Sequence, residues 1–336
     1  MNSRFFTSSP NTGPARRIDR RGSGLETLGA FVPTTAAASA PATSAGHAGR
    51  TAPSAADPDS RGIRRLGIVT SDAMTAVHTT EVGDSGDRVV FLHGLFGQGR
   101  NFSTIAKALQ PELRSLLVDL PNHGRSAWTE ELSYELLADV VADRLRDGFA
   151  ADGRVHVVGH SMGGKTAMVL ALRHPDLVDR LVVVDISPAG GGDQGEFEHL
   201  LGSLATLDLS TLSRRSEADD QLSGLIDDAR VRGFLLQNLR SGDDGFYWQA
   251  NLDLLRRELP AIGGFPGDLA DTFDRPVLWV AGERSRYVRP EHEATMRRLF
   301  PRTRQVTVKG AGHWVHSEQP EAFVSVLRMF LDAGAG

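Results

Sequence analysis

No cysteine occurs among the 336 residues. That excludes disulfides, thiolate nucleophiles and cysteine-ligated metal sites, and it suits a reducing compartment. No apolar run reaches the roughly 18 residues of a bilayer-spanning helix, so no membrane span is expected. An excess of positive charge is missing too: the formal net charge is −5, which counts against nucleic acid as a partner. No internal repeat is present.

Charge is unevenly spread. Residues 1–73 carry nine arginines and five acidic residues, about +4, so the remainder carries about −9. The first 65 or so residues are rich in Ala, Ser, Thr, Pro and Gly and hold no sustained hydrophobic period. Such a composition buries too little apolar surface to offset its ordering entropy. Residues 1–73 are therefore expected to be a disordered or non-essential extension, with Met74 as the natural first residue. Leu25 to Val32 contains Glu26 and is too short for a secretory signal, whereas the Arg- and Ser-rich character leaves an organelle transit peptide as the alternative. The corresponding expectation is a cytoplasmic protein, or an organellar one under that alternative.

From Val89 onward the chain alternates two kinds of segment. Val89–Leu92, Ser115–Asp119, Val155–Val158, Leu181–Ile186, Pro276–Ala281 and Gln305–Val308 are apolar, β-branched runs fit for buried strands. Ala76–Val82 adds a preceding antiparallel strand. Helical patterns lie between them, over Asn101–Leu109, Tyr134–Phe149, Gly163–His174, Glu291–Phe300 and Pro320–Asp332. This alternation predicts an α/β fold, a mostly parallel central sheet flanked by helices. Between residues 189 and 272 the alternation stops and helical runs replace it: Phe197–Leu207, Glu217–Ala229, Val231–Leu239 and Leu252–Leu259. About 80 residues is too long for a plain loop. The segment reads as a helical lid, inserted after the sixth strand, over the strand ends where open α/β sheets bind ligands. The expected organisation is a core of residues 74–188 and 273–336 with a lid over 189–272.

Gly159-His160-Ser161-Met162-Gly163 fits G-x-S-x-G, a turn that presents a nucleophilic serine between a strand and a helix. Val155–Val158 upstream and Lys165–Leu172 downstream supply that strand and helix. The two glycines flank a strained turn where side chains would collide. A serine hydroxyl is a weak nucleophile at neutral pH and needs a base. His313, in Gly310-Ala311-Gly312-His313-Trp314, follows the last strand and comes last in the order serine, acid, histidine. His93, His123 and His316 are weaker rivals, and His160 reads as a packing residue.

The acid is less direct. The loop after Pro276–Ala281 reads Gly282-Glu283-Arg284-Ser285, with serine where a Gly-x-x-Asp pattern would carry aspartate. A serine cannot orient an imidazole and stabilise its positive charge. Asp185 ends the run Val182-Val183-Val184, where a charge is costly unless paired, and its strand neighbours that of Ser161 in the expected order. Asp185 is the leading acid and Glu283 the alternative; Asp185 acting only as a cap for loop amides remains the bland reading. Two backbone N–H groups should face the developing oxyanion, those of Met162 and of Leu95 in His93-Gly94-Leu95-Phe96-Gly97. Asp119 reads as organising its following loop. Phe96 and Asn101-Phe102, near the oxyanion loop, and Phe246-Tyr247-Trp248 are candidates for the acyl pocket, with plain core packing as the competing reading.

These residues resemble the α/β-hydrolase-fold serine esterases, and within them the YbfF-like esterases, a group related to abhydrolase domain-containing protein 11. The resemblance runs from Val89 to about Phe330. It rests on His93–Gly97, on Asn122-His123-Gly124-Arg125-Ser126, on Gly159–Lys165, on Val184-Asp185-Ile186-Ser187-Pro188 and on Gly310–His316. Lys165 and Asp185 are the narrower marks. It implies a triad of Ser161, Asp185 and His313, hydrolysis of short to medium acyl esters with thioesters as a further class, and neither metal nor organic cofactor. Haloalkane dehalogenases and epoxide hydrolases on this fold use an aspartate where residue 161 is serine. A cofactor-free haloperoxidase or perhydrolase, and a non-enzymatic ligand receptor, are the alternatives that retain the serine. Oligomeric state is not legible in the sequence.

Overall fold

Apolar β-branched runs separated by amphipathic helices fold here as strands and crossovers. The computed structural model describes residues 77–190, 195–269 and 271–332. The extension expected over 1–73, and Met74 with it, lie outside the described residues.

In chain order the first half contains β1 (Thr79–Val82), β2 (Asp87–Leu92), α1 (Ser103–Ala108), β3 (Leu113–Val118), α2 (Tyr134–Arg144), β4 (Val155–His160), α3 (Met162–Arg173) and β5 (Val178–Val184). Then come α4 (Gly195–Ala205), α5 (Arg215–Leu222), α6 (Ala229–Leu236), β6 (Leu239–Gly242), β7 (Gly245–Trp248), α7 (Leu252–Arg257) and α8 (Leu259–Gly263). The chain closes with β8 (Val277–Gly282), α9 (Glu293–Leu299), β9 (Thr303–Val308), α10 (Val315–Glu318) and α11 (Pro320–Leu331).

Seven strands form one sheet in the order β1-β3-β2-β4-β5-β8-β9. Only the β1–β3 pair is antiparallel, with Thr79 opposite Val118. The remaining strands need crossovers, which is why helices cover both faces. Alternate residues of β2 serve opposite faces: Val90 and Leu92 join the apolar layer under α2, α3 and the insertion, while Val89 and Phe91 pack with α1 and α11. Buried on both faces, β4 and β8 have no exposed residue at all.

Two expectations need correction. Five strands precede the insertion among the described residues, not six: β1 and the parallel β2, β3, β4 and β5. The insertion is also not purely helical. The helix expected over Val231–Leu239 stops at Leu236, and β6 and β7 form an antiparallel hairpin with Leu239 opposite Trp248. Glycines at 242 and 245 around Asp243-Asp244 favour that turn, and its four-residue strands are too short for a periodic signal.

Candidate active site

At the end of β4 the chain turns sharply into α3, and Ser161 sits at the turn with φ 54° and ψ −119°. A non-glycine residue in that region costs about 1–3 kcal/mol and persists only where the surroundings over-determine it. Here the Ser161 N–H donates to Val184 O (3.1 Å) and its carbonyl accepts from Lys165 N (3.0 Å). Gly159 and Gly163 make the turn possible. A Cβ on Gly159 would lie 2.2 Å from Gly163 O, and one on Gly163 would lie 2.3 Å from Leu92 O.

Ser161 Oγ stands 3.0 Å from His313 Nε2, and His313 Nδ1 stands 2.8 Å from Asp185 Oδ2. Nδ1–H donating to the carboxylate is the tautomer that leaves Nε2 as the acceptor facing Ser161 Oγ. Asp185 follows β5, the strand beside β4, and its side chain is fully buried. Its other oxygen accepts from Gly282 N (2.9 Å), and Oδ2 also accepts from Ser285 Oγ. The serine at the position where the acid was sought thus contributes a hydrogen bond to the carboxylate that stands there in space. Glu283 is exposed and accepts from Gly310 N at 2.9 Å, so it steadies the histidine loop from outside. Glu318 does the same through Gly312 N (3.0 Å) and Trp314 N (3.3 Å).

The loop 93–97 lies against the serine. A Cβ on Gly94 would come within 3.1 Å of Ser161 Cβ. Gly97 N donates to Gly94 O (2.9 Å), and Phe96 has φ 62°. That turn bond leaves the Leu95 N–H outside it, while Met162, first residue of α3, carries one of the helix's unpaired N–H groups. The turn is held from two sides. His93 Nδ1 donates to Gly94 O (2.9 Å) and its Nε2 accepts from Leu120 N (2.9 Å). Phe96 O accepts from Asn238 Nδ2 (2.9 Å) and Gln237 Nε2 (3.1 Å) of the insertion. Asn238 is fully buried and was not singled out from sequence; a pair of amides inside the apolar run Leu235–Leu239 was the available signal.

The rival histidines His93 and His123 are buried, and with His316 and His160 they are held below the usual imidazole range. Burial pushes His93 and His316 down to about 4 and His123 to about 3. His160 Nε2 donates to the His313 carbonyl (2.9 Å), and burial holds its pKa well below the usual value. Asp119 accepts from Gly99 N (2.7 Å) and Arg125 N (2.9 Å), which organises its loop.

Ser161 opens on two spaces. One is an enclosed pocket of about 20 Å³ among Phe96, Asn101, Phe102, Phe197 and Phe234. That is room for about one water. The other is a cavity of about 800 Å³ bounded by Leu95, Met162, Lys165, Ile186, Leu259 and Tyr287. Phe96 and Asn101 line the smaller space, which is too small for an acyl chain, and not the larger cavity; Asn101 accepts from Gln98 N (2.7 Å) and donates to Gln237 Oε1 (2.9 Å). Phe246 and Trp248 line neither space. They lie on β7, half-buried against the main core, because hairpin pairing turns them to that layer. Tyr287 and Phe197 take the places beside His313, with ring centroids 4.2 and 6.5 Å away.

Comparison with known proteins agrees with this architecture. Residues 87–320 match the family model described as alpha/beta hydrolase fold. The chain is 41% identical over 250 residues to the sn-1-specific diacylglycerol lipase ABHD11 of Mus musculus, covering 72% of this chain and 80% of that protein. It is 30% identical over 244 residues to esterase YbfF of Escherichia coli, covering 73% and 92%. Among solved structures, a marine microorganism esterase superposes with a TM-score of 0.73 at 32% identity, covering 76% of this chain and 98% of that one.

Proposed function

The chain belongs to the α/β-hydrolase family and is a hydrolase of its esterase and lipase group, and from that premise we propose that it cleaves short to medium acyl esters through an acyl-enzyme on Ser161. His313 Nε2 takes the hydroxyl proton as Ser161 Oγ bonds to the ester carbonyl carbon. Asp185 holds the imidazole in the tautomer this requires and stabilises the imidazolium that forms. The N–H groups of Leu95 and Met162 stabilise the oxyanion; each such donor typically contributes about 3–4 kcal/mol to the transition state. Collapse breaks the bond to the leaving alcohol, which receives the proton from His313. Water then repeats the sequence and releases the acid. Acyl thioesters form the second substrate class: collapse of their tetrahedral species breaks the C–S bond, the thiol leaves with the proton from His313, and the same acyl-enzyme results. The insertion acts as a lid, lining the cavity with Phe197, Leu259 and Ile262.

The observation that carries this reading is the unbroken run of hydrogen bonds from Ser161 Oγ through His313 to buried Asp185 (3.0 and 2.8 Å), at the wall of a cavity large enough for an ester. The mouse relative is named a diacylglycerol lipase, so diacylglycerols belong in the test panel beside p-nitrophenyl esters. A fluorophosphonate should add one adduct mass to the intact protein and none to Ser161→Ala, which should also lose ester turnover. Labelling that persists in Ser161→Ala removes the nucleophile assignment.

A further inference from the structure

The chemistry above leaves Lys165 unused. It lies one helical turn beyond Ser161 on α3, and its side chain is buried, 3% exposed. Nζ donates to the carbonyls of Gly263 (2.8 Å) and Gly264 (2.6 Å) at the end of α8 and lies 5.8 Å from the centre of the Tyr134 ring. No carboxylate pairs with it among the described residues. An ammonium has three donors. Two are taken, and Lys165 lines the 800 Å³ cavity that also holds Ser161 and His313.

Arg286 and Arg289 line the same cavity. Arg286 has no ion-pair partner among the described residues; Arg289 pairs with exposed Glu291 at 3.4 Å and donates from Nε to Arg286 O at 2.8 Å. Of the two carboxylates that line the cavity, Glu318 is already paired with Arg284 at 2.9 Å, which leaves Glu196. A chain of net charge −5 thus lines its reaction cavity with an excess of cations. A buried charge without a counter-charge is costly. Proteins keep perturbed and uncompensated charges where a ligand supplies what is missing.

We propose that this cavity recognises an anion, and that the preferred substrates are esters carrying a carboxylate, bound by Lys165 at depth with Arg286 and Arg289 at the mouth. The inference rests on the Ser161 chemistry proposed above. Ser161 and Lys165 line the same cavity, so an acyl chain bonded to Ser161 shares its space with the lysine; a glutaryl ester carries its carboxylate on that acyl chain. A carboxylate on the leaving group would meet the same donors from the other side of the scissile bond.

Two substrate pairs distinguish these sources. Monoethyl glutarate against ethyl pentanoate places the charge on the acyl side. 4-Acetoxybenzoate against its methyl ester places it on the leaving group. For each pair, kcat/KM of the charged ester over the neutral one is measured for the wild type, Lys165→Met and the double variant Arg286→Gln/Arg289→Gln. One ratio should exceed unity in the wild type and fall about tenfold or more in Lys165→Met, the worth of one charge-assisted hydrogen bond. The double variant should lower the same ratio by a smaller factor that shrinks with added salt. Because each ratio is internal to one protein, a general loss of activity cancels; if Lys165→Met does not fold, the double variant decides. Ratios at or below unity, or unmoved by the variants, overturn the inference and leave Lys165 as a clasp between α3 and α8. Neutral-ester turnover that disappears in Ser161→Ala keeps the Ser161 reading standing in that case.

Discussion

At the scale of single residues, the acid separates two readings that the chain alone left open. Asp185 is fully buried, accepts from Gly282 N–H and Ser285 O–H, and reaches His313 Nδ1 at 2.8 Å, whereas Glu283 is exposed and bonds a loop amide. Asp185→Asn replaces an acceptor by a group that can present N–H to the imidazole, which favours the wrong tautomer. It should lower kcat for ester hydrolysis by about 10³–10⁴-fold, while Glu283→Gln stays within a few-fold of wild type. A larger loss in Glu283→Gln, measured on the same p-nitrophenyl ester, would reverse the assignment. The sequence disclosed the candidates because a charge ending an apolar strand demands a partner. It did not disclose that Ser285 would hydrogen-bond to Asp185, since that needs two loops 100 residues apart to meet.

Among the elements, the strand–turn–helix around Ser161 was the most legible in sequence. Its glycines, its β-branched strand and its helix ending before Pro175 are all local signals. Gly163→Ala tests how tightly the turn is built. The added methyl would meet Leu92 O at 2.3 Å and His93 O at 2.5 Å. Backbone cannot yield as a side chain can, so a loss of about 1–3 kcal/mol or more is expected, a fall of several degrees in Tm. Fluorophosphonate labelling should slow as well, because the same shift moves the Leu95 loop against Ser161. An unchanged Tm and labelling rate would mean that the turn tolerates what its geometry forbids. The hairpin β6–β7 was not legible, because four-residue strands carry little period and its stability comes from packing on the core.

For the whole molecule, buried neutral histidines make stability depend on acid. His93 and His316 have their pKa lowered by burial from 6.5 to about 4, and His123 to about 3. Between those values and 6.5 the unfolded chain binds more protons than the folded one, so stability falls as pH drops through that window. Each of the first two contributes on the order of 3 kcal/mol over the full window. Denaturant midpoints measured from pH 7 to pH 4 should therefore decline steeply, and a flat profile would contradict the buried, uncharged state of these rings.

The order of strands and helices in the central sheet was written along the chain, because period and turn chemistry act between near neighbours. Which polar side chains meet was not. His313 finds Asp185 across 128 residues and Ser161 across 152. Those distances close because β4 and β5 lie side by side and β8 and β9 continue the sheet from β5. The cavity follows from the same cause: Lys165 on α3 and Arg286 and Arg289 beyond β8 line one space once the sheet order is set. Sheet order depends on long-range burial and crossover handedness, and no local stretch of sequence encodes either.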